Sequence, residues 1–219
     1  HMKVNPVNEY LPKDTNSLSK NFCKVIEFQL SKHYAFSLKR QSELEKHDPI
    51  AYITGMMTKL SPGELISLQV VLTPAKNKES KKIARLISAN GDVIKYLRTP
   101  GILKWLLYNN YSVPHTKSQS EMDAVLLIDS KINQPLFETS IRLLMVFSEK
   151  HDLSEREQGF KSSLSTFSLN GYQSLVSKKY LSIDRVKKFL YYTFKKRLPS
   201  FTKPSIMSIS EISGIYHFP

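Results

Sequence analysis

Residues 137–147, FETSIRLLMVF, constrain the fold more than any other segment of this sequence. Every second side chain from Phe137 to Phe147 is apolar except Thr139, and a period of two indicates a β-strand. Burying one large apolar side chain contributes roughly 1.5–3 kcal/mol before conformational entropy is subtracted. Such a strand needs a sheet and a covering layer, so the segment predicts a core between a sheet and helices.

The rest of the chain alternates between strand and helix patterns. Alternating apolar residues predict strands at 22–30, 64–74 and 172–177, and residues 34–38 predict a hairpin partner for the first of these across 31–33. Helical spacing predicts helices over residues 49–60, 76–90, 93–106, 122–132, 154–168 and 183–198, the third of them interrupted at Pro100-Gly101, with a loop at 108–120.

These patterns predict an α+β fold. We expect a three- to five-stranded mixed or antiparallel sheet covered by helices mainly on one side, with a ferredoxin-like arrangement as one solution. The predicted organisation is an irregular lead-in at 1–21, an α+β domain at 22–198 and a linker at 199–219. Within this last segment, residues 208–218 are either a short helix or part of the linker. The chain has 219 residues, 41% of them hydrophobic, which is enough for a core of its own.

Three local signals predict where helices begin and end. Asp48 followed by Pro49 is typical of a helix start, because the carboxylate caps the first turn and proline needs no hydrogen-bond acceptor there. Ser154 and Glu157 have the spacing of a capping box. Asn90-Gly91 favours a left-handed helix stop.

The sequence contains none of the usual catalytic or cofactor motifs. It has no G-x-x-x-x-G-K-[ST] loop, no G-x-G-x-x-G turn, no G-x-S-x-G elbow and no H-E-x-x-H pair, and only 7 glycines. A single cysteine, Cys23, excludes an intramolecular disulfide and a cysteine-based zinc site. We therefore expect no cofactor, no metal and no enzymatic activity, with an acid/base pair of distant carboxylates as the remaining route to catalysis.

Positive charge is concentrated near the C-terminus. The chain has a net charge of +13. Residues 177–203 include nine cationic residues and one acidic residue, Asp184. Tyr191 and Tyr192 lie among these cations, as stacking residues do in single-strand binders. The candidate nucleic-acid-binding residues are Arg185, Lys187, Lys188, Tyr192, Lys195, Lys196 and Arg197. The alternatives are a solvated lysine-rich helix face and an amphipathic helix on anionic lipid.

Three regions of the sequence, in order, carry a family resemblance. They are DPIAYITGMMTKLSPGELISLQVVLTPA (48–75), KINQPLFETSIRLLMVF (131–147) with GFKSSLSTFS (159–168), and the terminal ISEISGIYHFP (209–219). Together they resemble the region that precedes the motor in HerA-like ATPases of conjugative type IV secretion systems. The terminal peptide is the most specific of the three.

The resemblance implies a function without implying a catalytic residue. By it, the chain is a non-catalytic assembly or docking domain, and 199–219 is a linker toward a motor domain. The implied partners are secretion-channel or relaxosome proteins, DNA, the motor domain and further copies of the chain. The implied location is the cytoplasm at the inner face of the membrane. The charge distribution supports an alternative, a stand-alone basic nucleic-acid-binding module.

Overall fold

One antiparallel sheet organises the molecule. The computed structural model describes residues 11, 22–39, 49–76, 78–107 and 117–215. In this part of the chain the strands pair in the order β2-β3-β1-β4, and β5 pairs with the start of β3. The strands are β1 (Phe22–Leu30), β2 (Leu65–Pro74), β3 (Leu136–Phe147), β4 (Leu175–Ser177) and β5 (Ser205–Ser208). The predicted α+β class and antiparallel sheet are confirmed.

Helices connect and cover these strands. Those in the described residues are α1 (Pro49–Met56), α2 (Glu79–Ser88), α3 (Val93–Arg98), α4 (Gly101–Leu107), α5 (Gln119–Ile132), α6 (Lys150–Ser165), α7 (Asp184–Lys195) and α8 (Ile209–Ile215). The predicted interruption at Pro100-Gly101 is confirmed as the break between α3 and α4.

The topology has a ferredoxin-like core. Read from its outer edge, the sheet runs β4-β1-β3-β2 with every neighbouring pair antiparallel. Helix α1 joins β1 to β2, helix α6 joins β3 to β4, and these two helices contact each other on one face. This is the β-α-β-β-α-β arrangement. Helices α2–α5 are inserted between β2 and β3, and α7, β5 and α8 follow β4.

Strand β3 is buried on both faces. Ile141, Leu143 and Met145 enter the main core with side chains of α1 and α6. Leu144 and Val146 point to the opposite face, where they pack against α7. The helices are therefore not confined to one side of the sheet, because α7 covers part of the second face. This explains why residues 143–147 of β3 form an unbroken apolar run.

The inserted helices build a second core. Ile83 of α2, Tyr96 of α3 and Ile128 of α5 are buried together with Ala35 and Phe36, which lie between β1 and α1. The insertion is therefore anchored on the loop that follows β1.

The predicted hairpin at residues 34–38 is wrong. The segment has no strand in the structure, because Phe36 enters the second core while Leu38 enters the first. Side chains satisfy its backbone: the Gln173 Nε2 donates to the carbonyls of His33 (3.1 Å) and Phe36 (3.4 Å). The edge partner of β1 is β4 instead.

Two of the local helix signals have clear outcomes. The capping box at Ser154 and Glu157 is wrong, since α6 begins four residues earlier at Lys150 and Glu157 forms ion pairs with Lys24 and Lys161. The stop at Asn90-Gly91 is confirmed: Asn90 has φ of 52° and the Gly91 N–H donates to the Leu86 carbonyl. Asp48 lies outside the described residues.

The structure also revises two predicted non-regular segments. Of the loop expected at 108–120, residues 108–116 lie outside the described residues, and α5 already begins at Gln119, capped by a box of Ser118 and Glu121. Within 199–219, expected as a linker, residues 205–208 form β5. The alternative of a short helix within 208–218 is confirmed, since residues 209–215 form α8 with Glu211 and Ile212 buried. Through residue 215 this segment is part of the fold.

Candidate nucleic-acid interface

Buried polar side chains hold α7 on the sheet. Arg142 of β3 is fully buried, and its Nη1 donates to the Leu198 carbonyl (2.6 Å) and to the Thr193 carbonyl (3.5 Å). Gln69 of β2 donates from Nε2 to the Phe194 carbonyl (2.9 Å). Both side chains bind carbonyls at the C-terminal end of α7, where helical partners are missing. The sheet thus fixes the end of the helix directly.

The charge of Arg142 is balanced beneath the helix by Glu27 of β1. The Arg142 Nε donates to Glu27 at 3.1 Å, and Lys178 pairs with the other Glu27 oxygen at 2.6 Å. Burial raises the pKa of Glu27, but hydrogen bonds from Lys178, Ser200 and Arg142 and the charge of Lys178 outweigh it, so the pKa lies below its usual value. This network presents no free charge to the surface and acts as a support.

The C-terminus of α7 is closed by a Schellman motif. Arg197 adopts φ of 53°, its N–H donates to the Phe194 carbonyl, and the Leu198 N–H donates to the Thr193 carbonyl, both at 3.0 Å. The chain turns away after Arg197. The closing turn leaves Lys196 and Arg197 exposed at the end of the helix.

The outward face of α7 carries a row of cations around one tyrosine. Leu190 and Phe194 are buried against the sheet, so residues on the opposite side of the helix face solvent. Arg185, Lys188 and Lys196 are exposed, and Tyr192 among them is 51% exposed. We call these four residues the basic row. The structure brings them together on one face.

The remaining candidates differ from the basic row. Lys187 turns toward a neighbouring groove and pairs with Asp184 at 3.3 Å. Lys195 is half-buried at the margin of the face. Arg197 is exposed just beyond the helix and extends the basic row.

Sequence reasoning missed an apolar cleft along one side of the basic row. The cleft has a volume of about 380 Å³, and its lining includes Tyr180, Arg185, Phe189 and Phe201. The Phe189 and Phe201 rings meet edge to face at 4.9 Å, and each residue is over 40% exposed. Helical spacing places Phe189 one turn from Arg185, so the sequence could have predicted that these two side chains lie close together. No sequence pattern predicts the position of Phe201, since it follows the helix.

One cluster among the described residues has the composition of a metal site. His151, Asp152 and Glu155 of α6 offer ligand atoms within 4.8 Å of one another. His151 and Glu155 are exposed. A group of this size is equally typical of the solvent-exposed polar residues in the first turn of a helix. Within the described residues, no helix combines the length and apolar character needed to cross a bilayer.

Comparison with known families supplies an identity. The model of the family described as "Domain of unknown function (DUF8128)" matches residues 20–219. The chain belongs to the DUF8128 family. The match covers the whole sheet and every helix named above, so this DUF8128 domain includes β5 and α8 as well as the ferredoxin-like core. No curated protein and no solved structure matches the DUF8128 chain.

Proposed function

We propose that this chain is a non-catalytic docking domain that binds single-stranded nucleic acid through the outward face of α7. The observation that carries the proposal is the basic row, in which Arg185, Lys188 and Lys196 flank the exposed ring of Tyr192. Proteins that bind single strands combine cations along the backbone with aromatic rings that stack on bases. The net charge of +13 would draw such a strand to the protein.

A larger role follows from the sequence resemblance. The proposal places the domain before the motor of a conjugative, HerA-like ATPase, at the inner face of the membrane, where it would contact secretion-channel or relaxosome proteins or further copies of itself. The sequence of the parent gene beyond the codon for Pro219 tests this placement. A strand followed by G-x-x-x-x-G-K-[ST] would support it, and a frame that ends without a motor would leave a stand-alone nucleic-acid-binding module.

Charge reversal on two faces tests the binding surface. A fluorescein-labelled dT 20-mer is titrated with the wild type, with R185E/K188E/K196E and with K78E/K81E/R85E, whose side chains are exposed at and near α2. Both variants change the net charge by the same amount. We expect the α7 variant to bind at least about tenfold more weakly and the α2 variant to lose much less. Equal losses, or no binding by the wild type at low salt, would contradict the proposal.

The non-catalytic part of the proposal has its own assay. Purified chain is incubated with ATP and GTP in the presence of magnesium, and phosphate release is measured with and without the dT 20-mer. We expect no turnover above a buffer blank. Hydrolysis that co-purifies with the folded chain through two unrelated columns would overturn this part.

A further inference from the structure

A groove lies along β1, on the other side of α7 from the aromatic cleft, and it is the larger of the two. It has a volume of about 850 Å³, and consecutive residues 22–26 of β1 form its floor. One wall is α6, with Leu153, and the other is α7, with Leu190. The groove therefore runs along an edge of the sheet, between the two helical layers.

This groove occupies the position in which β4 would continue. Strand β4 pairs with residues 28–30 of β1 and ends at Ser177. The last backbone hydrogen bond between the two strand segments runs from the Lys178 N–H to the Glu27 carbonyl at 2.7 Å. Beyond it the chain leaves the sheet, and among the described residues no strand pairs with residues 22–26 on this side.

The backbone of β1 points its hydrogen-bonding groups into the groove. Backbone groups alternate in direction along a strand, and Glu27 faces the β4 side. Val25 and Cys23, two and four residues earlier, therefore present their N–H and C=O groups to the same side. An open edge of this kind is the template for strand addition by a peptide.

Charge on the rim selects the kind of peptide. Six lysines and only two acidic residues line the groove. Three lysines have acidic partners, in the pairs of Lys24 with Glu157, Lys178 with Glu27 and Lys187 with Asp184. Lys150, Lys179 and Lys188 are exposed and have no ion-pair partner among the described residues. The rim thus carries uncompensated positive charge around an apolar floor.

We propose that this groove docks an extended acidic peptide of a partner protein, which adds to the edge of β1 as a further strand. Cys23 and Val25 form the backbone hydrogen bonds, Leu153 and Leu190 contact the central side chains of the peptide, and Lys150 and Lys179 pair with its carboxylates. Main-chain bonds give such complexes their affinity, and the side-chain pockets and charges give specificity. The groove shares Lys188 with the basic row, and its other peptide contacts lie outside that row.

Three labelled peptides test the proposal by fluorescence anisotropy. They are EDVTVTDE, the basic analogue KKVTVTKK and the proline-interrupted EDVTPTDE, each acetylated and amidated. We expect the first to bind, the basic analogue not to bind, and the proline peptide to bind at least about tenfold more weakly because it loses a donor and fixes φ. Equal binding of any two peptides, or no binding of the first at low salt, would overturn the proposal.

Two further measurements locate the bound peptide. The variant K150E/K179E should weaken binding of EDVTVTDE by about tenfold, whereas K81E/R85E on α2 should not. Hydrogen exchange followed by NMR should show slowed exchange at the Cys23 and Val25 amides when the peptide is present. Binding that leaves both amides unprotected, or that is lost in K196E/R197E and kept in K150E/K179E, would place the peptide elsewhere and overturn the proposal.

Discussion

The backbone of Arg197 closes the Schellman motif of α7, and its side chain is exposed to solvent. Its φ of 53° lies in the left-handed region, which costs an L-residue about 1–2 kcal/mol and glycine very little. The arginine side chain is exposed beside the basic row.

Substitution of Arg197 by glycine separates the two effects. We expect R197G to raise the free energy of unfolding by up to about 1 kcal/mol in urea denaturation, because glycine adopts the left-handed conformation freely. The control is K188G on the exposed middle of α7, which should lower it by about 1 kcal/mol. If R197G loses as much stability as K188G, the Schellman motif does not form as described.

Glu79 gives a pH-dependent contribution to stability. A hydrogen bond from His33 (3.2 Å) is the largest influence and lowers its pKa. Burial opposes this effect, but a second hydrogen bond from Lys104 (3.0 Å) adds to it, and the pKa falls from 4.5 to about 2. Because the folded-state pKa is depressed, its stabilisation is complete above pH 4.5 and is lost as the pH falls toward 2. The cluster also raises the pKa of Tyr96 to about 12, with burial as the first cause and Glu79 as the second.

The variant E79Q isolates this contribution from that of the other carboxylates. We expect the difference in unfolding free energy between wild type and E79Q to be fully present above pH 4.5 and to shrink steadily between pH 4.5 and pH 2.5. Urea denaturation at four pH values measures it. A difference that stays constant over this range would show that the carboxylate does not titrate with a depressed pKa.

At the level of residues, sequence reasoning located surface positions better than contacts. Arg185, Lys188 and Tyr192 could be assigned to one exposed face because helical periodicity fixes orientation within a helix. Two residues expected beside them differ: Lys195 is half-buried, and Tyr191 is buried against the sheet. The partners of Arg142 could not be predicted, since Glu27 and Leu198 are brought to it by strand pairing and by the turn after α7. Long-range contacts of this kind depend on the fold rather than on spacing.

Helix α8 is tied to the rest of the molecule by a buried ion pair. Glu211 and Lys131 of α5 are each about 1% exposed, and their charged atoms lie 2.8 Å apart. Glu211 also accepts hydrogen bonds from the Leu38 N–H (2.7 Å) and the Ser208 N–H (2.9 Å). One carboxylate thus joins α8, α5 and the segment before α1. It belongs to the terminal peptide that carries the family resemblance.

Removing one partner of this pair should be costly. We expect E211A to lower the free energy of unfolding by about 3–5 kcal/mol, because it leaves the Lys131 ammonium buried without a counter-charge. In a double-mutant cycle, K131M/E211Q should lose less stability than the sum of K131M and E211Q. Additive losses in urea denaturation would contradict direct coupling of the two charges.

Strands and helices could be predicted where all the apolar side chains of an element pack into the same core, because their spacing then follows the period of that element. Strands β1, β2 and β3 were placed to within a residue at each end, and helix α7 to within three residues. The segment 34–38 failed because its alternating side chains divide between two cores, which no local pattern reveals. The start of α6 was missed because Glu157, although correctly spaced for a capping box, binds Lys24 of β1 instead.

For the whole molecule, the class of fold was predictable and the surface grooves were not. Alternating strands and helices indicated an α+β sheet, and its ferredoxin-like order was one expected solution. The groove along β1 exists because β4 stops at Ser177 and the chain then leaves the sheet. Because the chain leaves the sheet after Ser177, the edge of β1 stays open between two helical layers. No pattern of residues in the sequence predicts this open edge.

Two surfaces lie on either side of α7. The outward face of α7 carries exposed cations and aromatic rings, and the groove beside β1 carries an open backbone edge with lysines on its rim. The two proposals together assign a nucleic acid to the first surface and an acidic peptide to the second.

The salt dependence of single-strand binding tests the central claim most directly. The affinity of the wild type for the dT 20-mer is measured between 50 and 200 mM sodium chloride. If about five cations of the α7 surface neutralise phosphates, the logarithm of the affinity should fall against the logarithm of salt with a slope near −3.5, and with a slope near −1.4 in R185E/K188E/K196E. The same slope in both proteins, or an affinity that does not depend on salt, would contradict the assignment of α7 as the nucleic-acid interface.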